Sequence, residues 1–363
     1  MKIISVVGAR PNFMKVAPVH EALLGLGVEA LLLHTGQHYD SAMSEVFFDE
    51  LGMPKPHRNL NVGSASHAVQ TARIMEGFEQ VLLEETPDVV LVAGDVNSTI
   101  ACTLVASKMG IKTAHLEAGL RSFDMNMPEE INRILTDRIC DLLLTPSADG
   151  DQHLKAEGIA EDRIVRVGNA MIDTLLAHSE KARHRSPYER FHVESGGYAL
   201  LTLHRPSNVD SRAALSSMMD VFQRLSDALP ILFPVHPRTY KKLETFDLLE
   251  KAQAATHLHL LEPAGYLDFL SLQQHARLVM TDSGGIQEET TALGIPCLTL
   301  RENTERPITI DEGTNTLVGT DPTLIASEFM QIVDSGGKAG RIPALWDGKT
   351  GQRAAQAIVT KLA

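Results

Sequence analysis

Short apolar runs alternate with amphipathic stretches along the whole chain. Ile3–Val7 precedes a helical pattern reaching about Leu26, and Ala30–His34 precedes helical stretches from Ser41 and from His67. Val89–Ala93 leads into a helix beginning near Asn97. Ile111–His115 leads through an irregular segment to a helix at Pro128–Ile139, where a proline suits the first turn. Leu142–Thr145 and Ile164–Val167 close this half. A polar lapse over 182–197, containing Pro187 and Gly196-Gly197, follows. The theme then resumes with Ala199–Leu203, Ile231–Val235, His257–Leu261, Leu278–Met280, Cys297–Leu300 and Thr316–Gly319, and a last helix over Gln352–Leu362. This pattern predicts βαβ units, hence an α/β fold of two doubly wound, Rossmann-like domains with parallel sheets. The boundary is expected in the helix near Asn169, giving domains 1–169 and 170–349.

In such sheets ligands bind outside the C-terminal strand ends, so the polar residues there matter most. Leu278-Val-Met breaks at Thr281-Asp282-Ser283-Gly284-Gly285, and a helical pattern follows. Glycines without Cβ let another molecule approach the backbone, and the positive end of a helix favours an anion. The competing reading is a tight turn with Ser283 as N-cap and Glu288 and Glu289 complementing the dipole. Leu91-Val-Ala-Gly-Asp95-Val-Asn97 loosely echoes this strand–Asp–turn–helix order.

Arg10 and Lys15 follow the first strand, either to neutralise a diphosphate or as solvated surface charges. The G-x-G-x-x-G of a dinucleotide site is absent there, which argues against bound NAD. Asp95 and Glu117 each end an apolar run, where an acidic group is rarely placed without a partner. Helix capping would account for Asp95; nothing so simple accounts for Glu117. Glu129 and Glu130 open a helix, a place where acidic residues complement the dipole. Two strands end in His204-Arg205 and His236-Pro-Arg238, favouring an anion or acid–base site. The loop Arg301–Pro307 either closes over a polyol or is a surface loop with internal ion pairs. The site is expected between the two domains.

Composition narrows the partners. The chain has 363 residues and a net charge of −13, which repels nucleic acid and anionic lipid. Cys102, Cys140 and Cys297 lie in apolar contexts without metal-ligand spacing, so buried reduced thiols and no metal are expected. The N-terminal apolar run is too short for a signal peptide and no spanning run follows, so a cytoplasmic protein is expected.

Gly8-Ala-Arg10-Pro11, Thr35-Gly-Gln-His38, Gly94-Asp95, His115-Leu-Glu117-Ala-Gly-Leu-Arg121, Pro128-Glu-Glu-Ile-Asn-Arg133, Thr202-Leu-His204-Arg205, Thr281–Glu289, Thr304-Glu-Arg306-Pro307 and Gly313-Thr-Asn315 occur in this order. With these motifs the chain resembles the UDP-N-acetylglucosamine 2-epimerases over nearly its whole length. The resemblance implies a GT-B-like fold with an interdomain cleft, the C-terminal helix 350–363 crossing back onto the first domain, a homodimer and no cofactor. It implies inversion at C2 of a UDP-sugar by elimination and re-addition of UDP. Asp95, Glu117, Glu129 and His204 match catalytic positions: the first two as acid/base groups for the C2 proton, Glu129 in support, His204 at the diphosphate. Arg10, Lys15, His236, Phe269, Ser283, Gly284, Gly285, Glu289 and Arg306 match UDP-sugar-binding positions, Glu289 on the ribose. The chain departs from the family at Pro206-Ser207, where an acidic residue is common, at Ile308, and at Tyr39-Asp-Ser-Ala42, which lacks a second glutamine used for regulation by substrate. Rival readings are a hydrolysing 2-epimerase, a GT-B glycosyltransferase and a UDP-sugar sensor.

Overall fold

A computed structural model describes residues 1–37 and 55–363. His38, the segment 39–42, the helical stretch expected from Ser41 and the side chain of Arg10 lie outside the described residues. The chain divides into two compact units, Met1–Ala177 with Ala344–Ala363, and His178–Pro343. The division falls within the helix Ala170–Arg183, later than Asn169.

In the first unit the strands are β1 (Lys2–Val7), β2 (Glu29–His34), β3 (Arg58–Asn59), β4 (Val89–Ala93), β5 (Lys112–Leu116), β6 (Leu142–Thr145) and β7 (Ile164–Arg166). They form one parallel sheet in the order β3-β2-β1-β4-β5-β6-β7. β4 is buried at every position, as a central parallel strand covered by helices on both faces must be. β3 has two exposed residues and so carries no apolar run by which the sequence could betray it. The last helix, Thr350–Leu362, packs on the helix Arg10–Gly25. A Cβ on Gly351 would stand 2.4 Å from the Pro18 carbonyl oxygen, so glycine permits that close approach.

The second unit holds β8 (Ala199–Thr202), β9 (Ile231–Pro234), β10 (Leu258–Leu261), β11 (Leu278–Thr281), β12 (Cys297–Thr299) and β13 (Asn315–Leu317), parallel in the order β10-β9-β8-β11-β12-β13. Helix Arg212–Ser226 buries Leu215, Met218, Met219, Phe222 and Leu225 against this sheet, the three- and four-residue spacing of one helical face. Strand order reverses between β1 and β4 in one sheet and between β8 and β11 in the other. The loops after these strands are therefore where a ligand crevice opens. The three cysteines are buried free thiols. Among the described residues no helix is long and apolar enough to cross a membrane.

Candidate active site

In the first unit the crevice is built on Gly94, directly after β4. Its φ of +68° is a left-handed conformation that suits glycine. A Cβ there would lie 3.1 Å from Lys15 Nζ, 3.2 Å from Asn12 Nδ2 and 3.4 Å from Glu117 Oε2, so the three side chains converge on this point. Lys15 and Glu117 form an ion pair, each residue only 8% exposed. Glu117 directly follows β5 with φ +73°, strained for a residue with a side chain. Strain of this kind persists where the surroundings over-determine it, often at functional sites. Here the amides of Glu117 and Ala118 both donate to the Leu144 carbonyl.

Asp95 follows Gly94 with its side chain 28% exposed, and Arg133 Nη1 donates to it at 2.5 Å. Arg133 in turn holds Glu130, which accepts from the amides of Ser122 and Phe123 and from the Ser122 hydroxyl. Beneath Gly94 lies fully buried His115, its Nε2 2.8 Å from the Gly94 carbonyl oxygen and its Nδ1 2.6 Å from Asp137. Burial alone would raise the Asp137 carboxyl, but His115 and Arg121 hold it below the usual range. The β1 turn is closed differently: Asn12 Oδ1 accepts from the amides of Gly8 and Ala9, and a Cβ on Gly8 would collide with Ser98. Gly8 thus makes room for Ser98.

In the second unit β11 is followed by Asp282, fully buried, which accepts from the amides of His204 and Arg205, from Asn208 Nδ2 and from His204 Nδ1. The ring of His236 lies 5.5 Å from that of His204. His236 Nδ1 accepts from the Arg238 amide and so caps the helix Pro237–Thr245; burial, then His204, lowers its pKa. Ser283 precedes the helix Gly284–Leu293 but makes no side-chain cap bond, so the simple N-cap reading does not hold. A Cβ on Gly284 would stand 2.6 Å from Arg306 Nη1 and 2.8 Å from Glu305 Oε1. Arg306 pairs with Glu288 and Glu305, Arg301 with Glu305, and Arg205 lies 3.6 Å from Glu305. Burial would raise Glu305, yet Arg306, Arg301 and Arg205 drive its carboxyl far below the ordinary range. Three guanidinium groups facing two carboxylates beside a helix N-terminus leave a surplus of positive charge for an anion.

A family model described as UDP-N-acetylglucosamine 2-epimerase matches residues 26–359. The chain belongs to that family. It is 44% identical over 324 residues to the UDP-N-acetylglucosamine 2-epimerase of Methanocaldococcus jannaschii, covering 88% of each chain. It is 41% identical over 329 residues, 90% of each, to UDP-2,3-diacetamido-2,3-dideoxy-D-glucuronate 2-epimerase of Pseudomonas aeruginosa. The crystal structure of the M. jannaschii UDP-GlcNAc 2-epimerase with UDP-GlcNAc and UDP matches with a TM-score of 0.91, at 41% identity over 99% of this chain and 100% of that one. The fold is accordingly the GT-B-like α/β architecture of this 2-epimerase family.

Of the expected residues, Lys15, Asp95 and Glu117 gather around Gly94, while Glu129 is half-buried in the first turn of the helix Pro128–Ile139. In the second sheet, His204 after β8 and His236 after β9 bring their rings together, while Ser283, Gly284 and Gly285 follow β11 with Arg306 against Gly284. Glu289 lies deeper in the helix, 5% exposed, with Gln273 Nε2 donating at 2.6 Å. Burial lifts its pKa to about 7 although Gln273 opposes the rise. Glu288 and Glu289 are therefore buried groups of the helix interior rather than complements of its first turn. Phe269 is half-buried and packs on Tyr198, Leu200 and their neighbours. Sequence reasoning gave no site role to Asn12, Arg133, Asp137, Asp282 or Glu305. The legible signal was Glu130-x-x-Arg133, a pair three apart on one helical face.

Proposed function

We propose that this chain inverts C2 of a UDP-sugar without a nicotinamide, converting UDP-N-acetylglucosamine to UDP-N-acetylmannosamine. The observation that carries this reading is the buried Lys15–Glu117 pair set against Gly94, next to Asp95. The C2 proton has no adjacent carbonyl and is barely acidic. It becomes removable only as the C1–O bond to UDP breaks and positive charge grows on the ring. One carboxylate takes the C2 proton, the C1–O electron pair leaves with UDP, and a C1–C2 double bond forms. Inversion then requires a proton delivered to C2 from the opposite face, with UDP oxygen returning to C1. Two acid/base groups satisfy that demand, and Asp95 and Glu117 are the pair, Glu129 supporting them. Arg306, the helix beginning at Gly284, and His204 would stabilise the departing diphosphate, with Ser283, Gly285, His236, Arg10 and Lys15 assisting. Glu289 would take ribose hydroxyls and Phe269 would lie against the nucleotide.

Incubation with UDP-N-acetylglucosamine alone in D2O, followed by proton NMR, tests the reading. It predicts deuterium at C2 together with UDP-N-acetylmannosamine. UDP plus free N-acetylmannosamine would mean a hydrolysing enzyme; no exchange would leave a glycosyltransferase or a sensor. The 41% identical diacetamido-glucuronate 2-epimerase favours a second substrate, a UDP-diacetamido-uronate, for the same assay. The same proposal places the protein in the cytoplasm, supplying sugar for surface polysaccharide. It also makes the protein a homodimer. Phe123, Met125, Ile131, Leu135 and Ile139 form an exposed apolar set on and beside one helix, a face suited to a second copy.

A further inference from the structure

We propose that Asp282 is a positioning residue, holding His204 with its Nδ1 protonated so that Nε2 is the atom offered to the substrate's diphosphate. This rests on the 2-epimerase reading for the diphosphate, but the arrangement of the pair stands on its own geometry. Asp282 is fully buried, whereas the His204 side chain is 37% exposed. The same carboxylate accepts from the His204 ring at 2.8 Å and from the His204 amide at 3.0 Å. Ring and backbone of one residue are thereby pinned to one group, and the ring cannot turn about χ1 without losing a bond to Asp282. The Arg205 amide at 2.8 Å and Asn208 Nδ2 at 3.0 Å complete the donors around the carboxylate. Asn208 also donates to the Leu300 carbonyl, which locks this turn onto the end of β12.

The chemistry follows from what each partner can do. An ionised carboxylate only accepts hydrogen bonds, so a ring nitrogen 2.8 Å away must carry the hydrogen. Burial would raise the Asp282 carboxyl, but His204 and the surrounding amides hold it below the ordinary range, consistent with the ionised form. Nδ1 is then committed, and Nε2 is the free position of the ring. His236 lacks this arrangement, because its own Nδ1 accepts from the Arg238 amide and so leaves its hydrogen on Nε2 when neutral. The two neighbouring histidines are thus held in opposite tautomers. With Nε2 also protonated, His204 donates to the β-phosphate oxygen that receives the electron pair of the breaking C1–O bond. The ring hydrogen on Nδ1 stays with Asp282 throughout, and re-addition of UDP reverses the same steps.

Long-range 1H–15N correlation on protein labelled at histidine tests this directly, with His204→Gln assigning the signal. The expected neutral form of His204 has Nδ1 protonated and Nε2 bare; the Nε2–H tautomer, read on the wild-type protein itself, would overturn the proposal. Asp282→Asn should then release the tautomer and lower kcat on the order of 10²-fold with KM nearly unchanged. An unchanged kcat, or a rise in KM alone, also overturns it. Wild-type protein that exchanges no deuterium at C2 instead overturns the reaction assigned above, an outcome distinct from the tautomer measurement.

Discussion

Glu289 makes a pH-dependent contribution that a single substitution exposes. The residue is 5% exposed and its pKa is lifted from 4.5 to about 7, by burial against the opposition of Gln273. Between these two values the folded chain binds a proton that the unfolded chain has released, so stability is lost as pH rises through the window. The full penalty is about 3 kcal/mol, of which roughly 2–3 kcal/mol develops between pH 5 and pH 8. Glu289→Gln keeps the shape and cannot ionise. The variant should therefore gain that amount relative to wild type on going from pH 5 to pH 8. Buried histidines shared by the variant and wild type, His34 in the first unit and His236 in the second, act in the opposite sense and cancel in the comparison. Burial depresses His34 from 6.5 to about 4, so its contribution is present above 6.5 and is lost as pH falls through 4. The sole tryptophan, Trp346, belongs to the first unit and donates to the Pro146 carbonyl, so its fluorescence follows that unit. Exchange of the β11 amides, read by mass spectrometry at both pH values, follows the second. A stability difference between Glu289→Gln and wild type that changes by less than about 1 kcal/mol across the range would refute the argument. UDP adds a further check: the proposed role of Glu289 has ribose hydroxyls donating to it, which favours its charged form, so UDP should bind more tightly at pH 8 than at pH 5.5 in wild type. The variant should lose most of that dependence in calorimetry.

Arg133→Met strips two carboxylates, Asp95 and Glu130, of a nearly buried partner; chemical denaturation should show a loss of about 3–5 kcal/mol. Gly284→Ala places a methyl against Arg306 and Glu305, and calorimetry should show UDP binding weakened at least tenfold while the far-UV circular dichroism is preserved. Asp95→Asn should abolish deuterium exchange at C2 and leave UDP affinity intact; retained exchange removes Asp95 from the chemistry. Lys15→Ala should weaken UDP binding and leave Glu117 without the lysine; an unchanged affinity refutes its place at the diphosphate.

The doubly wound sheets were legible because the central strands are short, largely apolar and buried runs, of which Val89–Ala93 is apolar at every position. The strand-end groups were legible for a related reason: a carboxylate or imidazole at the end of such a run is out of place unless something holds it. What held them was not legible. The partner of Asp95 is 38 residues away and that of His204 is 78 away, and no local period links positions so distant. Glu129 and Glu130 look alike in sequence, yet a step of about 100° around the helix separates them. That step buries Glu130 against Ser122 and Arg133 and leaves Glu129 half-buried. Position at the start of the helix suggested the same dipole role for both, the resemblance singled out Glu129, and the turn of the helix gives the physical difference between them.

The echo between Gly94-Asp95 and Thr281-Asp282 has a structural basis that also shows where it stops. β4 and β11 occupy the same place in their sheets, each the first strand beyond the reversal of order, so the two aspartates are topological equivalents. Their surroundings differ. Asp95 is 28% exposed and has one charged donor in Arg133, which leaves carboxylate capacity for a proton arriving from outside. Asp282 is fully buried and is taken up by two amides, an asparagine and a histidine ring. A carboxylate so enclosed orients its neighbours and cannot itself reach a substrate. On the proposed reading, one position in the fold supplies an acid/base group in one unit and a scaffold in the other, and burial together with the surrounding donors distinguishes them. Opening the crevice around Asp282 by Asn208→Ala would test that distinction. The substitution should loosen the His204 turn and slow turnover, without giving Asp282 any exchange activity of its own in an Asp95→Asn background.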